Sequence, residues 1–555
     1  MIGVISDPSA RDVVREFFEL FKTPWEFYQA ERQYDVVLSC GDHEINTAAP
    51  LAIIYCDKRT KLDDQQGRER SMPCVVSFKE RKIPLYGASI AFTEKLEAFL
   101  PDVDQGGCLA FLQESNGRRQ VRIGYDLFEE VRTLLTVGQP IANAMSPTLE
   151  LHIDLLRTLI TSAGIELVEI PPIPKGFRFI VCLTHDVDHP SIRGHKWDHT
   201  VLGFLYRATV GSVGRFLRGR MTPHDLMSNW LAALKLPLVQ LGLAKDFWRE
   251  FGKRYLELEE GRPSTFFVIP FKDRPGKKGN ARAPAFRASR YGAEDIANEL
   301  RELQSQGCEI GLHGLDAWGD SEQGREELRA IQALTGNSEI GVRMHWLYYE
   351  QETPCRLEQV GASYDSTIGY NDTVGYRAGT TQAYKSLGAE HLLELPMHAM
   401  DTALFYPAYL ALSPLQAREL LNEMATNATT FGGVLTINWH DRSVSPERLW
   451  TECYRGLLKD LEERGAWFAT AQQVISWFRK RRALTFNSRN GVTENDSPAL
   501  LVASSASVLR GEVPGFLVRT HKTGKSIPVG RGSSTEGIDQ TPGSFADNTI
   551  LHGAN

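Results

Sequence analysis

The sequence predicts an α/β fold, with a parallel sheet closed into a (β/α) barrel at its centre. Three observations predict it. Short apolar runs alternate with helical patterns between residues 179 and 465, as in successive strand–helix units. Six such runs occur: FIVCLTHDVD (179–188), STFFVIP (264–270), CEIGLHG (308–314), IGVRMHW (340–346), LLELPMH (392–398) and GVLTINWHD (433–441), enough for a barrel. All but STFFVIP end in or beside polar or ionisable groups, and the carboxyl edge of such a sheet is where ligands bind.

The elements before the barrel read as a first α/β domain, residues 1–165. IGVIS is a strand, and Asp7-Pro8 opens a helix with an acceptor at its cap and proline where no amide is needed. Val13, Val14, Phe17, Phe18 and Phe21 give that helix one apolar face. DVVLSC (35–40) and LAIIYC (51–56) are further strands, and no GxGxxG accompanies them, so no nucleotide is assigned. A helix over 146–165 has a Ser-Pro start and a glycine stop. PPIPKG (171–176) is a turn-rich hinge, and the barrel domain spans 171–483.

Within the barrel domain, helices are expected over 293–307 and 446–465, and a helical insertion over 191–262. The insertion carries Arg193, Lys196, Arg207, Arg215, Arg218 and Arg220 amid apolar residues. Such a segment is a solvated helix packed on the barrel, or else a surface for a membrane or an acidic polymer. Residues 484–555 turn to Ser, Thr, Gly and Asn; LLVASS, GFLVRTH and SIPVGR are expected as short strands, with the last twenty residues disordered.

Bulk properties narrow the function. At 555 residues the chain exceeds one core, and its 42% hydrophobic and 24% charged content is ordinary for a soluble protein. A net charge of −7 gives no hint of a nucleic-acid partner. No apolar stretch of about 18 residues predicts a transmembrane helix, and MIGVISDPSARDVVREFF lacks the pattern of a secretory leader, so a cytoplasmic location is expected. Eight cysteines without CxxC pairs are expected as reduced thiols. Oligomeric state is not legible.

The chemistry concentrates in THDVDH. Asp186 and Asp188 alternate along a strand and point the same way, and two such carboxylates repel unless a cation intervenes. Four histidines, His185, His313, His345 and His440, also close apolar runs. One such histidine is usually structural; four at the edge that holds two aspartates suggest a site. An Asp and two His form an open ligand set for a divalent metal, zinc being the ordinary choice. A second carboxylate then serves as general base and a histidine opposite as general acid. GxSxG is absent, so a serine hydrolase of that type is not supported.

Taken in order, these runs resemble the polysaccharide deacetylase superfamily, carbohydrate esterase family 4, over about residues 178–475. THDVD resembles its opening aspartate motif, STFFVIP its second strand, EIGLHG its histidine strand, GVRMH its arginine motif, LELPMH its penultimate strand and LTINWHD its last motif. The resemblance implies a distorted barrel and metal-dependent removal of N-acetyl groups from an amino sugar or polysaccharide. It makes Asp186 the general base, Asp188 and His313 metal ligands, Arg343 the residue that orients Asp186, and His440 the acid for the leaving amine.

The sequence departs from that family at H-x-x-x-H, because Ala317 stands where the second histidine is expected. His345 is the first candidate for the third ligand, then Asp316, then His189. Tyr370 and Arg377 lie in YDSTIGYNDTVGYRAGT (364–380), which is either a sugar-binding loop or a self-packed one. Trp318, Trp346 and Trp439 adjoin the candidate ligands; a core role is the plainer reading for each, and Trp439 is the expected aromatic wall if a sugar binds. Two alternatives stand beside the deacetylase: a catalytically degenerate carbohydrate-binding or scaffold protein, and an amidase for a small non-sugar amide.

Overall fold

The Phe179–Val187 strand is buried along its whole length, as a run of apolar and β-branched residues should be at the centre of a parallel sheet. It pairs in parallel with Ser264–Val268 on one side and Val434–Asn438 on the other. The seven-stranded sheet runs Val342–Met344, Glu309–Gly314, Ser264–Val268, Phe179–Val187, Val434–Asn438, Ala399–Met400, and Ala466–Phe468 adds beside Phe179–Val181. Single bridges join Val342 to Asp365 and Asp365 to Glu394, which carries the curled sheet round past its edge strand. This computed structural model describes residues 1–43, 47–63, 67–70, 73–92, 97–115, 117–196, 198–219, 221–278, 281–445, 447–448, 450–486, 492–494 and 514–522.

Local sequence explains the strand ends. Gly341 precedes Val342–Met344 because a Cβ there would lie 1.9 Å from the Tyr364 ring. After Met344 the chain turns sharply, with Trp346 at φ 65° and Leu347 at φ 53°, a conformation that bulky residues rarely adopt. Strain of this kind gathers at functional edges. The helices expected at 293–307 and 446–465 are Ala297–Ser305, entered through a short turn at Ala293–Ile296, and Thr451–Glu463.

Residues 1–123 form a second, nine-stranded sheet. Its first part follows the expected alternation: Ile2–Ile5, Val36–Cys40 and Leu51–Tyr55 are parallel, and the Arg11–Phe21 helix buries its predicted face. Asp7 makes no side-chain cap, and a short turn at Pro8–Ala10 precedes the helix. The second part is largely antiparallel, with Cys108–Ser115 between Arg118–Ile123 and Ser89–Phe92, and was not expected. Arg118–Ile123 carries three arginines and no apolar run, whereas CLAFL and the buried SIAF are short apolar stretches with no helical pattern between them. The 146–165 helix is Thr148–Ser162.

The two sheets are joined by buried polar contacts. Glu150 Oε1 accepts from the Thr380 hydroxyl at 2.6 Å and Thr381 N at 2.9 Å, and Arg482 pairs with Glu16 at 2.6 Å. PPIPKG, read from sequence as a hinge, has Pro171 to Pro174 buried, and the Pro172 carbonyl accepts from Gly433 N. The 191–262 insertion is helical, with His199–Tyr206, Ser212–Leu217, Pro223–Gln240 and Phe251–Glu259.

In the tail, Arg519–His521 pairs antiparallel with Leu167–Glu169, and Leu484–Phe486 pairs with Val492–Glu494. LLVASS, SIPVGR, the last twenty residues and Arg220 lie outside the described residues. All eight cysteines are free thiols. Among the described residues no helix is long and apolar enough to cross a membrane.

Candidate metal centre

Strand alternation divides the THDVD segment between two faces. Thr184 and Asp186 face Arg343: its Nη1 donates to the Thr184 hydroxyl at 2.7 Å and to Asp186 Oδ1 at 3.0 Å. His185 points the other way, where Nδ1 donates to the Trp439 carbonyl and Nε2 meets Glu259 Oε1, both at 2.8 Å. His185 is therefore a core residue, apart from the aspartate pair.

Asp186 is held on both oxygens. Arg343 takes Oδ1, and Asn438 Nδ2 donates to Oδ2 at 2.8 Å. Arg343 is itself fixed by the Ser366 carbonyl and hydroxyl, and lies over the Phe267 ring. Burial alone would raise the Asp186 carboxyl, but the charges of Arg343, His313 and His440 outweigh it and hold it below the ordinary value.

Asp188, His313 and His345 converge just beyond the strand ends, their ligand atoms all within 4.8 Å of one another. His313 Nδ1 lies 3.0 Å from the Arg343 carbonyl. A carbonyl only accepts, so Nδ1 carries hydrogen and Nε2 is left facing Asp188 Oδ1 at 3.4 Å. His345 Nε2 lies 3.7 Å from the same oxygen. Burial pushes the His345 pKa down to about 3, with Asp188 opposing it, so the ring is neutral, as a ligand must be. Asp188 Oδ1 is buried with no hydrogen-bond partner among the described residues. A buried carboxylate oxygen facing two imidazole nitrogens, none hydrogen-bonded to another, fits a divalent cation.

The other candidate ligands are engaged elsewhere. Asp316 Oδ1 accepts from Lys277 N at 2.6 Å. His189 Nδ1 lies 3.1 Å from His195 Nε2. Ala317, at the position of the expected second histidine, is fully buried.

Across the cluster, His440 Nε2 lies 3.8 Å from Asp188 Oδ2. Its Nδ1 donates to Asp401 Oδ1 at 2.6 Å, and its backbone N donates to Asp401 Oδ2 at 2.7 Å. Burial works against a charged imidazole, but Asp401, with Asp188 and Asp186, raises the His440 pKa to about 10. His440 therefore stands protonated at neutral pH.

These groups lie in a cavity of about 560 Å³. Trp346, Tyr348, Tyr406 and Tyr409 contribute to its walls, together with Arg442 and Arg448. The three residues expected to meet substrate do not line it. The Tyr370 hydroxyl donates to the Gln139 carbonyl, Arg377 donates to the Gly369 carbonyl, and Trp439 is fully buried against Phe405 and Tyr454. Of the 364–380 loop, Asn371 lines the cavity while Tyr370 packs on Gln139, and Trp346 rather than Trp439 is the indole at the cavity wall.

Comparison with known proteins adds the following. No protein-family model matches the chain, and no curated protein matches it. Similar solved structures include a protein assigned as a polysaccharide deacetylase from Mycobacterium smegmatis, with 17% identity over 59% of this chain and 100% of that one, TM-score 0.35. A second protein so assigned, from Pseudomonas aeruginosa PAO1, has 16% identity over 56% and 94%, TM-score 0.35. A PuuE allantoinase has 15% identity over 55% and 92%, TM-score 0.34.

Several groups escaped the sequence. Asp401 closes the run LLELPMHAMD, so an acid at a strand end was a usable signal. Asn438 stands within GVLTINWHD, two residues before His440. Arg287 carried no signal: it is buried and donates to the Pro275, Leu315 and His345 carbonyls, tying together the segments after both candidate ligand histidines.

Proposed function

We propose that this protein is a metal-dependent hydrolase that removes N-acetyl groups from an amino sugar or its polymer. The observation that carries the reading is the buried, unpartnered Asp188 oxygen between His313 and His345, with Asp186 and His440 beside it. The ordered motif resemblance supplies the reaction class. Asp188, His313 and His345 would hold the ion, which when bound polarises an amide carbonyl and makes water a nucleophile near neutral pH.

The chain's own residues have separable tasks. Asp186, kept ionised by Arg343, accepts the proton of the attacking water. Asn438 and Arg343 fix the carboxylate, so it needs no rearrangement as charge develops. His440 donates a proton from Nε2 to the departing nitrogen, and Asp401 stabilises the imidazolium beforehand. Trp346, Tyr406 and Tyr409 give flat surfaces for a pyranose face, and Arg442 and Arg448 suit hydroxyl or anionic groups on it.

The test is acetate release from N-acetylglucosamine oligomers by metal-loaded protein. Wild type should turn over, and Asp186→Asn should lose turnover while keeping metal. A fully active Asp186→Asn protein sinks the mechanism. Ala317 favours one rival, a non-catalytic carbohydrate-binding protein. Oligomer binding without acetate release, in protein that holds its metal, would select that rival.

A further inference from the structure

The helical insertion leaves an apolar surface outside the cavity. Its inner residues, Val201, Phe204, Ala208, Ala232, Leu236 and Val239, form a small core of their own with Trp248. Its outer residues are also apolar. On the Pro223–Gln240 helix, Met227, Trp230, Leu231, Leu234 and Leu238 recur at three- and four-residue spacing and are exposed, Leu234 at 74%. Leu202, Tyr206 and Val210, spaced by four, are exposed on the preceding helical stretch, and Leu217 beyond them is 78% exposed. A helix needs one apolar stripe to pack on its neighbours, and here a second stripe faces outward. Exposed apolar side chains concentrated in this way mark an interaction surface.

Charge identifies what covers it. The chain carries a net −7, yet residues 199–243 contain five Lys or Arg and a single acid, Asp225. Arg218, just past the Ser212–Leu217 helix, and Lys235 on the Pro223–Gln240 helix are exposed, with Lys245 further on. Apolar side chains with interleaved cations, and an aromatic among them in Trp230, match a bilayer interface with anionic headgroups. No described helix is long and apolar enough to span, so the segment would lie on the surface.

We propose that the 199–243 helical segment docks the protein on an anionic lipid surface. The segment that carries this face borders the cavity, for His199 contacts Phe286, which lines it, and Arg215 reaches the Glu447 carbonyl beside Arg448. Docking therefore holds the candidate metal centre close to the lipid. The inference does not depend on the reaction proposed for that centre.

Vesicle flotation of the full-length protein tests it, using phosphatidylcholine vesicles with or without about one third phosphatidylglycerol. Wild type should float with the anionic vesicles, and added salt should release it. Leu234→Glu with Leu238→Glu should lower the bound fraction at least tenfold, and Lys235→Glu should lower it by a smaller factor. Both variants change exposed positions, so melting temperature and metal content should match wild type. Wild type that stays unbound, binds neutral and anionic vesicles equally, or is unaffected by the paired glutamates overturns the proposal. So does a wild-type dimer that the glutamates convert to monomer without any vesicle binding, which would assign the face to a second copy.

Discussion

Replacing Arg343 by Met should be among the most destabilising single changes in the central sheet. The guanidinium is fully buried and serves Asp186, Thr184 and Ser366 together. Methionine fills similar space and leaves the Asp186 carboxylate buried without its cation. Removing one partner of a buried ion pair costs about 3–5 kcal/mol. Unfolding about 300 residues releases about 0.6 kcal/mol/K of entropy, so the melting temperature should fall by about 5–8 °C.

The pH dependence has a definite sign. In wild type the Asp186 pKa lies below its unfolded value, so its contribution is full above that value and is lost as pH falls through the folded one. Without Arg343, burial dominates and the folded pKa rises above the unfolded one. The Arg343→Met deficit should therefore be smallest below the wild-type folded value and grow as pH rises toward neutrality. Calorimetry on metal-free protein reads it, with Asp186→Asn closing a double-mutant cycle. Coupling of about 2–3 kcal/mol is expected; a value under about 0.5 kcal/mol, or a deficit flat with pH, would refute the reasoning.

Asp401→Asn removes the anion behind His440, so its pKa should drop and the alkaline limb of kcat should move at least one pH unit lower; an unmoved limb would remove His440 from the acid role. Arg287→Met frees the carbonyls after both ligand histidines, and metal affinity should fall about 10- to 100-fold by competition with a chelator. On the Thr148–Ser162 helix, burial lowers the His152 pKa to about 3. The unfolded chain binds that proton from about pH 6.5 downward, so stability should fall by about 1.4 kcal/mol per pH unit between there and pH 3. His152→Phe, compared with wild type by urea unfolding, should lack that slope.

The central sheet was legible because its strands are buried on both faces and therefore spelled as continuous apolar runs, from FIVCL to GVLTI. Asp186, Asp188, His313, Arg343, His345 and His440 were legible because each stands at or just past the end of such a run. The antiparallel half of the nine-stranded sheet was not, since Arg118–Ile123 carries three arginines, one of them the fully buried Arg122, and both it and Cys108–Ser115 become exposed toward the turn that joins them. Tyr370 and Arg377 misled for a different reason. A loop rich in Tyr, Asn and Gly looks the same whether it meets a sugar or packs on another part of its own chain, and Gln139, 231 residues away, is what Tyr370 meets. Asp401, Asn438 and Arg287 act through partners distant in sequence, and only tertiary structure reveals that.

The most direct test of the account is metal content by elemental analysis of wild type beside Asp188→Ala, His345→Ala, Asp316→Ala and Asp186→Asn. Wild type should hold near-stoichiometric divalent metal, Asp188→Ala and His345→Ala should lose it, and Asp316→Ala and Asp186→Asn should retain it. Wild type that stays metal-free after metal is added back, or His345→Ala that keeps metal while Asp316→Ala loses it, would contradict the account.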